Sequence, residues 1–129
     1  MGQRIYVSSE GPWEQVIGYH RAIRVGNRVV VAGTTATKGE EMIGVGDMYT
    51  QATYVLKIIR KALMSVGANM SDVIIVRIYV TDMSRWPDVA QAHREAFVNT
   101  RPVTTIVEVG ALIDPRLLVE IEVEAVVAD

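Results

Sequence analysis

Residues 119–127 read VEIEVEAVV. Val119, Ile121, Val123 and Ala125 fall on one side of an extended chain, and Glu120, Glu122 and Glu124 on the other. That strict alternation is the signature of a strand with one face in a core and one face elsewhere. Upstream, 101-RPVTTIVEVG-110 is a second strand, with Val103, Thr105, Val107 and Val109 on one face. Thr104, Ile106 and Glu108 share its other face. Residues 73–80, VIIVRIYV, form a β-branched run suited to a central strand. Further upstream, RAIRV and RVVVAGTT flank Gly26-Asn27, a two-residue hairpin signal. Residues 4–8 supply a first short strand, followed by a polar stretch with Gly11, Pro12 and Trp13.

Two segments carry helical rather than strand periodicity. Met48, Ala52, Val55, Leu56, Ile59, Leu63 and Val66 recur at helical spacing, with Gln51, Lys57, Arg60 and Lys61 mainly elsewhere on the wheel. Asp47 is placed to cap this helix and Gly67 to end it. Ser84 or Asp82 caps the second helix, which has Pro87 in its first turn, carries Val89, Ala92, Ala96 and Phe97, and ends near Asn99. Residues 36–46 hold too many glycines for regular structure and read as a loop. The order is therefore βββαβαββ, an α+β domain with a mixed sheet and both helices on one face. The other face of the sheet must meet water or another subunit.

Composition bounds the rest. The 129 residues fit a single domain, 1–129. Half are hydrophobic and the mean hydropathy is +0.22, a surplus most simply buried in an oligomer. A net charge of −2 argues against nucleic-acid and acidic-membrane partners. There is no cysteine, and His20 and His93 are too few for a His-rich metal centre, so no metal is expected. The amino-terminal residues lack an apolar signal core, no run approaches a membrane span, and Tyr6 stands where a Gly2 myristoylation signal needs Ser or Thr. A cytoplasmic protein is expected.

Candidate chemistry starts with the three glutamates. On a solvated edge strand they would block aggregation. In a cleft, one of them could move protons or position a water. Residue types alone do not choose among the three. His93 is placed either to pack within the second helix or to titrate near neutral pH. Tyr19 offers a hydroxyl at the mouth of a hairpin. Thr34 and Thr35 follow Gly33 at a strand end, where hydroxyls and free N–H groups could hold a carboxylate. No phosphate loop, dinucleotide fingerprint or nucleophile elbow is present.

Taken together, 17-IGYHRAIRVGNRVVVAGTT-35, 51-QATYVLKIIRKALMSVGANMSDVIIVRIYVTDM-83 and 101-RPVTTIVEVGALIDPRLLVEIEVEA-125 resemble the Rid/YjgF family of reactive-intermediate deaminases. The blocks occur in the family's order over nearly the whole chain. The resemblance implies a chorismate-mutase-like fold and a homotrimer whose small-molecule clefts lie between subunits. It also implies cofactor-free hydrolysis of a 2-imino or 2-enamino acid to the 2-oxo acid and ammonia. The final-strand glutamate that positions the water corresponds to Glu120, or with a two-residue shift to Glu122. The family tyrosine corresponds to Tyr19, the serine before the first-hairpin glycine to Ala32, and a polar helix residue to Ala90 or Gln91.

The departures fall on the substrate clamp. In the family's P-x-R-S motif the arginine that holds the substrate carboxylate corresponds to Thr104 and the serine to Thr105. A hydroxyl does not replace a charged fork, and each charge-assisted bond lost is worth about 1.5–3 kcal/mol. His93 stands at a commonly aromatic position and Trp86 where phenylalanine is frequent. A cleft of altered specificity is expected, lined by Tyr19, Ala32, Thr34, His93, Thr104 and Thr105, with Glu120 as catalyst. Arg28, Arg77 or Arg101 of a neighbouring subunit could add a cation. The alternative is a non-catalytic trimer that binds a metabolite as sensor or scavenger. Endoribonuclease activity, reported for some relatives, ranks last because no basic stripe is present to hold RNA.

Overall fold

A computed structural model describes residues 3–9 and 11–128; the Met1-Gly2 read for a lipid signal lies outside them. One six-stranded sheet carries the fold. Its strands are β1 (Arg4–Val7), β2 (Ala22–Val25), β3 (Arg28–Thr35), β6 (Val73–Val80), β7 (Val103–Glu108) and β8 (Val119–Val126). They lie in the order β1-β2-β3-β8-β6-β7, antiparallel throughout except for the parallel pair β6–β7. Helices α2 (Met48–Ser65) and α3 (Trp86–Ala96) are the two expected, and α3 makes the crossover between the parallel strands. The α+β expectation with this order of main elements holds.

The alternation read from the sequence decides which face is which. Val29, Val31, Val76, Ile78, Val80, Val119, Ile121, Val123 and Ala125 are all buried. Helix α2 packs on them over β3 and β8, and α3 packs against α2. Each fully buried Val, Leu, Ile or Phe contributes about 1.5–3 kcal/mol. Asp47 caps α2 as expected, its carboxylate accepting from the Thr50 N–H at 3.0 Å. Gly67 follows α2 in a left-handed conformation (φ +79°), a place that favours glycine. Gln51, placed by the wheel mainly off the apolar face, is instead fully buried. Its amide donates to the Arg116 carbonyl at 2.9 Å and accepts from the Leu118 N–H at 2.8 Å. That clasp fixes the chain just before β8, and so the start of the glutamate row.

Four local expectations need correction. The polar stretch after β1 contains a short helix, α1 (Trp13–Ile17), closed by Gly18 at φ +90°. Five residues are too few to show a period. The glycine-rich 36–46 loop contains a small antiparallel pair, β4 (Thr37–Lys38) and β5 (Glu41–Met42). Asp82 caps a single 3-10 turn, Met83–Arg85, rather than α3 itself, and α3 ends at Ala96, short of Asn99. Strand β8 is no edge strand, for it lies between β3 and β6. Its glutamates therefore do not guard an edge.

Between Val31 and Thr34 the register of β3 against β8 slips by one residue, so Ala32 and Gly33 together face Glu122. This bulge bends β3 beside the glutamate row. It also reverses the facing of the last two residues of β3. Thr34 lies opposite Ile121 and is buried, while Thr35 lies opposite Glu120.

Candidate functional site

The sheet face away from the helices carries Glu120, Glu122 and Glu124, and each has a different neighbourhood. Glu124 is clasped by Arg28 Nη2 at 2.6 Å and Arg77 Nη1 at 3.0 Å. Hydrogen bonds from these two arginines, Arg28 first, hold its carboxyl below the usual range. Glu122 accepts the hydroxyl of Tyr79, a β6 residue whose direct cross-strand partner is Glu120. Glu120 has neither kind of partner: among the described residues no donor reaches its carboxylate. Burial pushes its pKa up, the Glu122 charge adds to that, and Arg21 opposes both. Of the three carboxylates, Glu120 is thus the one left unpaired among the described residues. A half-buried carboxylate with no hydrogen-bond partner is one free to exchange a proton with a ligand.

Glu120 rests on the backbone of Gly33. A β-carbon placed there would come within 2.0 Å of Glu120 Oε2. Both residues line a cleft of about 370 Å³ with Tyr79, Val109, Ala111, Leu112 and Glu122. Its far wall comes from the 109–112 turn, and the cleft opens toward solvent.

Behind Gly33 stands a residue that the sequence pattern did not place in the site. Arg21, only 6% exposed, donates from Nη1 to the Gly33 carbonyl at 2.7 Å, to Thr34 Oγ1 at 2.7 Å and to the Ala32 carbonyl at 3.4 Å. Its Nη2 reaches the Tyr19 hydroxyl at 3.2 Å, and its Nε meets Glu14 Oε2 at 3.3 Å. Glu14, on α1, is equally buried and also accepts from the Ser9 N–H at 3.0 Å and from the Ser9 hydroxyl. A buried ion pair seven residues apart leaves no periodic trace. The available signal was a charged residue at the inward start of β2, beside Tyr19.

The other expected residues divide into separate groups. Tyr19 and Thr34 join Arg21, and Ala32 sits in the bulge. Thr34 Oγ1 is turned to Arg21 and the Ala32 carbonyl. Thr35 is the threonine on the Glu120 face, its hydroxyl 3.0 Å from that of Thr37. Thr104 lies toward the helices, where His93 Nε2 sits 2.9 Å from its Oγ1, while Thr105 shares the face of the glutamates. Burial lowers the His93 pKa. Its ring also meets Phe97, with centroids 4.9 Å apart. Thr104 pairs with Val76 and Glu120 with Tyr79, two strand spacings apart. The separation is roughly 10 Å across the sheet and 10 Å along it, on opposite faces. Within one subunit the two do not share a cleft. Elsewhere, Ala90 is half-buried on α3, Gln91 bonds Glu95 at 3.3 Å, and Trp86 is exposed. Arg28 and Arg77 are committed to Glu124. Among the described residues no group of three or more acidic or histidine side chains is placed to hold a metal ion. Nor is any helix among them long and apolar enough to cross a membrane.

The family profile described as endoribonuclease L-PSP matches residues 10–127, nearly the whole chain. The protein belongs to the endoribonuclease L-PSP family, also called YjgF/YER057c/UK114. The crystal structure of the Mycobacterium tuberculosis member Rv2704 is 48% identical and superposes with a TM-score of 0.88 over 97% of this chain and all of that one. SCO2049 of Streptomyces coelicolor is 41% identical over 119 residues, 92% of this chain and 89% of that protein. A 3-aminoacrylate deaminase, RutC of Acinetobacter baylyi, is 31% identical over 113 residues, 87% of this chain and 89% of RutC. Membership in the YjgF family agrees with the fold expected from the three sequence blocks, and it supports a role in small-molecule deamination, hydrolysis or binding.

Proposed function

We propose that this YjgF-family chain is a cofactor-free hydrolase that deaminates a small enamine or imine, with Glu120 as its proton-transfer group. The observation that carries the reading is the half-buried Glu120 carboxylate on Gly33, raised in pKa and without a hydrogen-bond partner among the described residues. Such a group can serve both halves of the reaction. Protonated, it delivers a proton to the enamine carbon and gives the imine. Ionised again, it takes a proton from a water whose oxygen bonds to the imine carbon. Glu120 returns that proton to the nitrogen, the C–N bond breaks to release ammonia, and the hydroxyl proton passes to Glu120 as the carbonyl forms. The relation to RutC makes a three-carbon enamine acid the first substrate to try.

The reading includes a homotrimer whose subunit boundaries complete the clefts. The Glu120 face supports this, because Tyr6, Val30, Val103 and Val107 lie exposed on it among the charges. The His93–Thr104 pair at the β7 edge of one subunit would then face the Glu120 cleft of another. There it replaces a cationic carboxylate clamp with uncharged groups, which favours substrates held by hydrogen bonds alone. RNA cleavage, named in the family's description, is disfavoured by three glutamates on that same face.

The test is to generate 3-aminoacrylate or 2-aminoacrylate in situ and follow its loss with wild type, Glu120→Gln and Thr104→Arg. Turnover by wild type that falls at least 100-fold in Glu120→Gln supports the reading. Turnover only in Thr104→Arg locates the change at the clamp. Absence of turnover in every variant, with saturable ligand binding, selects the non-catalytic binding trimer instead.

A further inference from the structure

We propose that Arg21 is the positioning residue of the Glu120 cleft, and that Glu14 is the counter-ion that holds it in place. The proposal rests on Glu120 being the cleft's working carboxylate, and it names what sets that carboxylate's position and charge. The Arg21 guanidinium donates to both carbonyls of the bulge, Ala32 and Gly33, from behind. Glu120 lies against the front of the same Gly33. One glycine thus separates a buried cation from the reactive anion, and the shape of the bulge is fixed by the hydrogen bonds of that cation. The same guanidinium holds the Tyr19 hydroxyl at 3.2 Å and lies over the Tyr19 ring, 5.5 Å from its centroid.

The arrangement suits arginine and not lysine. Four acceptors in different directions, Gly33 O, Thr34 Oγ1, Tyr19 Oη and Glu14 Oε2, are met by a planar fork. An ammonium would keep the charge and lose most of these directions. Glu14 makes the burial of Arg21 tolerable, and through the Ser9 N–H it fastens α1 to the end of β1. The groups that bear on Glu120 are Glu122 on its own strand, Tyr79 from β6, and Arg21, the residue just before β2. Removing the charge of Glu14 leaves Arg21 uncompensated and strengthens its pull on Glu120.

The experiment is a carboxyl-carbon NMR titration of Glu120 in wild type, Glu14→Gln, Arg21→Lys and the double variant Glu14→Gln/Arg21→Met, beside turnover of 3-aminoacrylate. The Glu120 midpoint is expected to move down in Glu14→Gln and up in the double variant. In Arg21→Lys it is expected to stay near wild type while turnover falls at least tenfold. The double variant carries no buried unpaired charge, so it keeps the test open where a single variant unfolds. A Glu120 midpoint that is the same in folded Glu14→Gln and in the double variant overturns the proposal. Full turnover in Arg21→Lys overturns the role of the fork. The titration needs no turnover, so failure of the deaminase reading leaves it able to uphold or overturn the Arg21–Glu120 coupling.

Discussion

Glu120 occupies the space that a side chain at Gly33 would fill, its Oε2 lying 2.0 Å from where a β-carbon would stand. Gly33 is not in a left-handed conformation, so alanine is permitted there by the backbone. What must move is the far end of the Glu120 side chain. Gly33→Ala should therefore change stability by no more than about 1 kcal/mol, while turnover falls at least tenfold. Chemical denaturation and steady-state kinetics on the same preparation check both halves. A stable variant with unchanged turnover would remove Glu120 from the mechanism.

The elevated Glu120 pKa has a consequence for stability that is independent of catalysis. Burial raises the folded-state value above that of the unfolded chain, so the folded state holds the proton more tightly. Glu120 then costs stability above its folded pKa, and this cost disappears as pH falls toward the unfolded value. Glu120→Gln should raise the Tm near pH 7, and the gain should shrink as the pH is lowered past the Glu120 pKa. A Tm difference that is constant from pH 7 to pH 4 would show that the carboxyl is not desolvated.

For His93 the sign is opposite in form. Burial lowers its folded pKa below the unfolded value, so the unfolded chain takes up the proton first. Stability is complete above the unfolded value of about 6.5 and declines below it. His93→Phe keeps the contact with Phe97 and removes the titration. It should flatten the loss of Tm between pH 7 and pH 5, and Tm profiles of the two proteins measure this directly.

The fold was legible in the sequence because its signals are periodic. Alternation in β8 separated core from open face, and helical spacing marked α2 and α3. The site was legible only in part, because its decisive relations are not periodic. Glu120 was distinguishable from Glu122 and Glu124 only once Tyr79, Arg28 and Arg77 were placed beside the other two. Thr34, expected in the cleft, turns to the core and Thr35 takes the Glu120 face because a one-residue bulge reverses facing, and nothing in Ala32-Gly33 announces a bulge rather than a strand end. The Glu14–Arg21 pair depends on a five-residue helix with no visible period.

That pair is also the most fragile feature of the subunit. Both side chains are at least nine-tenths buried, so removing one partner leaves a charge without compensation. Arg21→Met should cost about 3–5 kcal/mol. Glu14→Gln/Arg21→Met should recover part of that loss, because only neutral groups then remain. Urea unfolding of the single and double variants measures the coupling, and strictly additive effects would show that the two charges do not depend on each other.

The assembly can be tested at its most exposed edge. Val103 is 68% exposed and Val107 41% exposed on β7, which pairs only with β6. In an isolated subunit, a charged residue at either position would touch water and leave stability within about 0.5 kcal/mol. In a trimer the same residue would be carried into an apolar contact, with a desolvation cost of several kcal/mol per charge. Val103→Lys and Val107→Lys should therefore convert a wild-type trimer to smaller species, read by sedimentation equilibrium. In the proposed trimer each cleft takes a wall from a neighbouring subunit, so both variants should also abolish turnover while Glu120 and Arg21 remain intact. A wild-type mass of a single chain would place the cleft within one subunit, and trimers that survive both lysines would place their contacts away from Val103 and Val107.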